Sequence, residues 1–134
     1  MKNIIKSIPA VILIFLMCTS CANLPVDGKA LAGISVKDLE EACSGGKEKT
    51  FSLSYAAAFD KVTKILRKNE LTIFQSDKKK GYIVAMGFPR QINTTRVGIF
   101  FESLDDDNTK LTLSSLSSTS LVKAETIVFG GLEN

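Results

Sequence analysis

The run Ser54-Tyr55-Ala56-Ala57-Ala58-Phe59-Asp60-Lys61-Val62-Thr63-Lys64-Ile65-Leu66-Arg67-Lys68-Asn69, followed by Leu71-Thr72-Ile73-Phe74-Gln75-Ser76-Asp77-Lys78-Lys79-Lys80-Gly81-Tyr82-Ile83-Val84-Ala85-Met86-Gly87-Phe88, decides the fold class of this chain. In the first stretch Tyr55, Ala58, Phe59, Val62, Ile65 and Leu66 recur at steps of three and four residues, which gathers them on one side of a helix. Asp60, Lys61, Lys64, Arg67 and Lys68 fill the other side, with Asp60 and Lys64 spaced as a favourable i,i+4 pair. Ser54 is a suitable N-cap, and cations gather at the far end, where the helix dipole favours them. The second stretch changes its period. Leu71 to Ser76 and Tyr82 to Phe88 read as the two arms of a hairpin, joined by a polar turn in which Gly81 can take a positive φ.

Toward the C-terminus, Pro89 to Asn93 reads as a looser connection. Thr94 to Leu104 then sets Thr95, Val97, Ile99 and Phe101 on one face, opposite Arg96, Gly98, Phe100 and Glu102. Asp105-Asp106-Asp107-Asn108 forms the next turn, and Thr109 to about Leu116 returns with Leu111 and Leu113 inward. In the tail, Leu121, Ala124 and Val128 fit helical spacing, so a short helix is favoured over a strand for 121–134. Gly130 and Gly131 would each cost about 1 kcal/mol inside a helix and are expected to end it.

Toward the N-terminus, Phe51 and Leu53 alternate with Thr50 and Ser52 as a short strand. Ahead of it Ser35 caps a helix of two turns at most, with Val36, Leu39 and Ala42 on one side and Gly45-Gly46 stopping it. The order strand, helix, four strands, helix lacks βαβ alternation. The expected architecture is therefore α+β: an antiparallel sheet of about four to five strands, with one main helix and a short C-terminal helix on one face.

The 134 residues are enough for one domain and too few for two well-buried ones. Apolar residues make up 45% of the chain, but the share is inflated by its first residues. Lys2 and Lys6 precede Ile8-Pro9-Ala10-Val11-Ile12-Leu13-Ile14-Phe15-Leu16-Met17, an uncharged run of about ten residues, the length of a signal-peptide core. It falls short of the roughly 20 residues that a spanning helix needs. Removing it leaves 15 Lys+Arg against 14 Asp+Glu, a net charge of about +1 in place of +3. The basic balance therefore gives no reason to expect a nucleic-acid partner. Histidine is absent, which excludes Ser-His-Asp and Cys-His catalysis and imidazole metal sites.

The apolar core ends in Leu16-Met17-Cys18-Thr19-Ser20-Cys21-Ala22, which resembles the lipobox of bacterial lipoproteins. Thr19 and Ser20 match the small residues before the modified cysteine, while Cys18 stands where that family usually has Leu. The resemblance implies cleavage before Cys21 and a diacylglycerol thioether on its sulfur, with acyl chains of the palmitate kind. Several acyl chains give stable membrane attachment where one is marginal. Ala22, in place of Asp, implies outer-membrane delivery facing the periplasm if the host is Gram-negative. If Cys18 were the lipidated residue instead, Cys21 and Cys43 would be free to pair. With Cys21 lipidated, Cys43 is a lone thiol among the acids of 40–41, which should raise its pKa and leave it inert.

The expected organisation is a signal peptide over 1–20, a lipidated tether with a short helix over 21–48, and the α+β domain over 49–134. The element order of that domain resembles small helix-on-sheet domains of bacterial envelope lipoproteins, including those of outer-membrane assembly machinery. Phe74, Phe88 and Phe100 are expected on the sheet face opposite the helix, as an apolar contact surface. Lys78, Lys79 and Lys80, with Arg67 and Lys68, form a candidate basic patch toward anionic lipid. Asp105 to Asp107 read as a solvated turn, since the spaced acids and central glycine of a calcium loop are missing. No cofactor or metal is expected, and no catalytic residue is assigned. The leading expectation is a non-enzymatic, membrane-tethered domain that contacts another envelope protein through its open sheet face or a strand edge. The alternative is a small-molecule or lipid carrier with a pocket beside Phe59, Val62 and Phe101.

Overall fold

The computed structural model describes residues 35–91 and 95–134. The chain divides into a unit Met1–Ala32, which lies outside the described residues, and a compact unit Gly33–Asn134. Within the latter the elements are α1 (Val36–Glu41), a 3₁₀ turn (Ala42–Gly45), β1 (Lys47–Phe51), α2 (Tyr55–Lys68), β2 (Thr72–Asp77), β3 (Tyr82–Met86), β4 (Val97–Ser103), β5 (Thr109–Ser114), α3 (Ser118–Ala124), a π-helical turn (Glu125–Phe129) and α4 (Gly130–Glu133). The last three form one continuous C-terminal helix. The five strands make a single antiparallel sheet in the order β1-β5-β4-β3-β2. The protein is thus α+β, as the element order predicts.

Because β1 and β2 are the two edge strands, α2 connects opposite edges and must cross the whole inner face. Its periodic stripe makes that crossing favourable: Ala58, Phe59, Val62, Ile65 and Leu66 are all buried in the main core. The Ser54 hydroxyl accepts the Ala57 N–H at 3.3 Å and caps the start. At the other end Leu71 N–H donates to Leu66 O at 3.0 Å and Glu70 N–H to Arg67 O at 3.0 Å, the pair of bonds that defines a Schellman stop. Glu70 sits in the left-handed region there, with φ at 59°.

The alternation predicted for β4 and β5 holds: Val97, Ile99, Phe101, Leu111 and Leu113 point inward, and the C-terminal helix adds Leu121, Ala124, Val128, Phe129 and Leu132 to the same core. The expected end at Gly130 does not occur. The helix runs on to Glu133 because Gly131 lies against α2, where a Cβ would come within 2.9 Å of Ile65 Cδ1. Close helix–helix packing outweighs the intrinsic cost of glycine.

On the outer face the short helix α1, which the sequence places beside the tether and which is too short to stand without the domain, packs on the sheet. Leu39 is 0% exposed against Tyr82 and Val84, with Val36 and Phe100 alongside. Ser114 donates its hydroxyl to Leu39 O at 2.6 Å. Gly98 leaves room for this approach, since a Cβ there would stand 3.2 Å from Leu39 Cβ. A helix this short is unstable alone and depends on such docking. Its start is further held by a capping box, in which Ser35 N–H donates to Asp38 at 2.8 Å and Asp38 N–H to Ser35 Oγ at 3.2 Å. The folded unit accordingly reaches back ahead of residue 49.

Candidate functional site

The three phenylalanines expected on one bare face are not together. Phe88 is 2% exposed and belongs to the main core on the opposite side. Strict alternation from Tyr82, which faces α1, would send Phe88 outward. Gly87 interrupts it with φ at 85°, a conformation that glycine adopts without steric cost, and the chain turns Phe88 inward. Phe100 does face outward but is partly covered within the α1 cluster, its ring 6.5 Å from that of Tyr82. Phe74 is 39% exposed, and the register of β2 against β3 shifts between Ile73 and Gln75, leaving Phe74 without a partner across the ladder. The guanidinium of Arg96 stacks over its ring at 3.9 Å. Elsewhere on this face Glu102 and Lys110 stand directly opposite across β4 and β5 and pair at 2.7 Å, which raises the Lys110 pKa. The outer face is thus divided between the α1 cover and polar cross-strand pairs.

The lysine turn is also built differently. Lys78 pairs with Asp60 at 3.0 Å and lies 5.6 Å from the Phe59 ring centre, so Asp60 bonds across to the turn in place of its expected partner Lys64. The Asp77 carboxylate accepts the N–H groups of Lys79 and Lys80, each at 2.9 Å, and Gly81 takes φ at 77° to close the turn. Tyr55 donates its hydroxyl to Lys78 O at 2.6 Å; its pKa is raised, first by burial and then by Asp77. These contacts seat Lys78, Lys79 and Lys80 at the start of α2. Arg67 and Lys68 lie in its last turn, about 10–12 Å along the axis from Asp60 at 1.5 Å per residue. The expected five-cation patch is therefore split into two groups.

Both sheet edges oppose strand addition. β1 reads Lys-Glu-Lys-Thr-Phe, with Lys47 paired to Glu125 at 3.9 Å and Lys49 paired to Glu133. β2 carries the register irregularity. Charged edges and bulges both discourage an added strand.

Phe59, Val62 and Phe101, expected beside a carrier pocket, are packed core residues, with the Phe59 and Phe101 ring centres 5.0 Å apart. A groove of about 390 Å³ lies instead beside the C-terminal helix, lined by Pro89, Arg90, Val122, Lys123, Thr126 and Ile127. Nothing in the sequence reading singled these residues out. The available signal was Val122, an aliphatic residue set off the Leu121, Ala124 and Val128 stripe.

Cys43 is partly buried, and its thiol donates weakly to Leu39 O at 3.5 Å. Burial first, then Glu40 and Glu48, push its pKa up, against an opposing pull from the Ser114 hydroxyl. The Asp105 carboxylate accepts the Asn108 side-chain amide at 2.9 Å and the Asp107 N–H at 2.8 Å, and these bonds, the first most, lower its pKa. Its oxygens are turned onto the chain in the manner of a solvated turn. Cys18 and Cys21 lie outside the described residues. Among the described residues, no helix is long and apolar enough to cross a membrane. No protein-family model and no curated protein matches the chain.

Proposed function

We propose that the protein is a bacterial lipoprotein, lipidated at Cys21, whose α+β domain serves as a non-enzymatic interaction or structural component of the cell envelope. The observation that carries this reading is the run Leu16-Met17-Cys18-Thr19-Ser20-Cys21 at the end of a basic-then-apolar leader. A thioether-linked lipid on that sulfur, with further acyl chains, would hold a water-compatible domain beside a bilayer without a spanning helix. Ala22 fits an outer-membrane address facing the periplasm in a Gram-negative host. The acids of the folded unit that have described partners are Asp38 in a helix cap, Asp77 and Asp105 in turns, Glu48 as acceptor of the Thr112 hydroxyl, and Glu41, Asp60, Glu102, Glu125 and Glu133 in ion pairs. The expected partner is another envelope protein. Contact through side chains is favoured over strand addition, because both edges are protected and α1 covers much of the outer face.

Metabolic labelling with an alkyne fatty acid tests the anchor. The full chain should take up label, fractionate with membranes and run at mature size, and Cys21→Ser should lose the label and accumulate as the uncleaved form. A Cys21→Ser chain that is still processed, labelled and membrane-bound would overturn the assignment.

A further inference from the structure

The groove beside the C-terminal helix combines features that point to one class of ligand. Pro89, Val122 and Ile127 give it an apolar lining, and Val122 is 56% exposed although it is aliphatic. Among the described residues that line it, two, Arg90 and Lys123, are cations and none is an acid. Lys123 donates to the Pro89 carbonyl, which holds its charge at the rim between helix and turn. The nearest acid in sequence, Glu125, is drawn away toward Lys47 on β1.

The backbone around the groove is unusual on both walls. Thr126 and Ile127 belong to the π-helical turn Glu125–Phe129, a wide turn that is rare in helices and often found at functional sites. Across from it Arg90 holds φ at 62°, a strained conformation for a long side chain and of the kind that collects at ligand sites. An apolar trough with a cationic rim matches a molecule having an apolar chain and an anionic head. The volume of about 390 Å³ lies in the lower part of the usual range for ligand pockets, which suits one acyl chain better than two.

We infer that this groove binds a long-chain fatty acid, its chain along Pro89, Val122 and Ile127 and its carboxylate between Arg90 and Lys123. The inference stands on the groove and is independent of lipidation at Cys21.

The test is photolabelling of the full chain in phosphatidylcholine nanodiscs with a diazirine-bearing palmitate, followed by peptide mapping. Label should concentrate on the peptide containing Val122 to Ile127. Palmitate should compete it away, and an alkylamine of equal length should not. The double variant Arg90→Glu, Lys123→Glu should lower labelling by about tenfold or more, ~1.4 kcal/mol. Val122→Asp keeps both cations at an exposed position and should give a similar loss without unfolding the domain, as circular dichroism would show. Label spread without preference, equal competition by the amine, unchanged labelling in folded variants, or stronger competition by two-chain phosphatidylglycerol would each overturn the assignment. Selective capture of a peptide, a second copy or the bilayer surface by this groove in place of palmitate would overturn it too. A chain that fails to enter nanodiscs speaks against the anchor alone, and the same labelling then proceeds in buffer.

Discussion

Replacing Leu39 by Ala isolates the contact that makes α1 part of the domain. Leu39 is fully buried against Tyr82 and Val84, and it is the buried residue of its helix. Removing a buried leucine side chain costs about 2–5 kcal/mol, the lower end applying where the surroundings can relax. Here they can, because α1 is a single covering layer on the outer face. Its docking rests on burial of Leu39, worth roughly 1.5–3 kcal/mol, and on the Ser114–Leu39 hydrogen bond, worth about 1 kcal/mol. These gains act together with the capping box and the helix's own hydrogen bonds against the entropy of ordering the segment, and Leu39→Ala removes the larger of the two docking gains. Leu39→Ala should therefore release α1 instead of leaving a cavity beneath it. Urea unfolding should show a loss of about 2 kcal/mol, with faster hydrogen exchange over α1. An apolar dye should bind to the newly bared Tyr82, Val84 and Phe100. Unchanged exchange over α1, together with a stability loss below about 0.5 kcal/mol, the range of ordinary surface substitutions, would refute the reasoning.

Phe88→Ala should cost about 3–5 kcal/mol in urea unfolding, the penalty of a core aromatic, whereas a surface phenylalanine would change stability by about 0.5 kcal/mol or less. Glu70→Gly relieves the left-handed strain at the end of α2 and should stabilise the domain by about 1 kcal/mol, read as a rise of roughly 4–8 °C in Tm. Hydrogen bonds from the Ser35 backbone and then from its hydroxyl hold the Asp38 carboxyl below its ordinary pKa. A lowered folded pKa contributes stability above the unfolded value that is lost as pH falls through the folded one. Acid should thus loosen α1, seen as faster hydrogen exchange there before the sheet changes, and Asp38→Asn should reduce that pH dependence.

Local periodicity in the chain is enough to establish the α2 stripe, its Ser54 cap, the hairpin with its Gly81 turn, and the inward positions of β4 and β5. Each of these depends on residues within a few positions of one another, and burial then follows one consistent pattern. The candidate surface was less legible, because exposure is a relation between distant segments. A single left-handed glycine at 87 reverses the side on which Phe88 lies, and neither residue type announces that reversal. The lysine turn is visible in sequence, but its separation from Arg67 and Lys68 follows from where the turn meets α2.

From sequence alone come the α+β class and the strand and helix inventory, together with the expectation of a lipid anchor at Cys21. Only the folded chain decides that β1 pairs with β5, that α1 covers the outer face, that the C-terminal helix continues past its glycines onto Ile65, and that a cationic groove opens between that helix and the turn at 89–90. The reason is that hydrophobic burial has no direction along the chain. Periodicity says which side of an element must be covered, but the covering segment is selected by shape and loop length across the whole molecule.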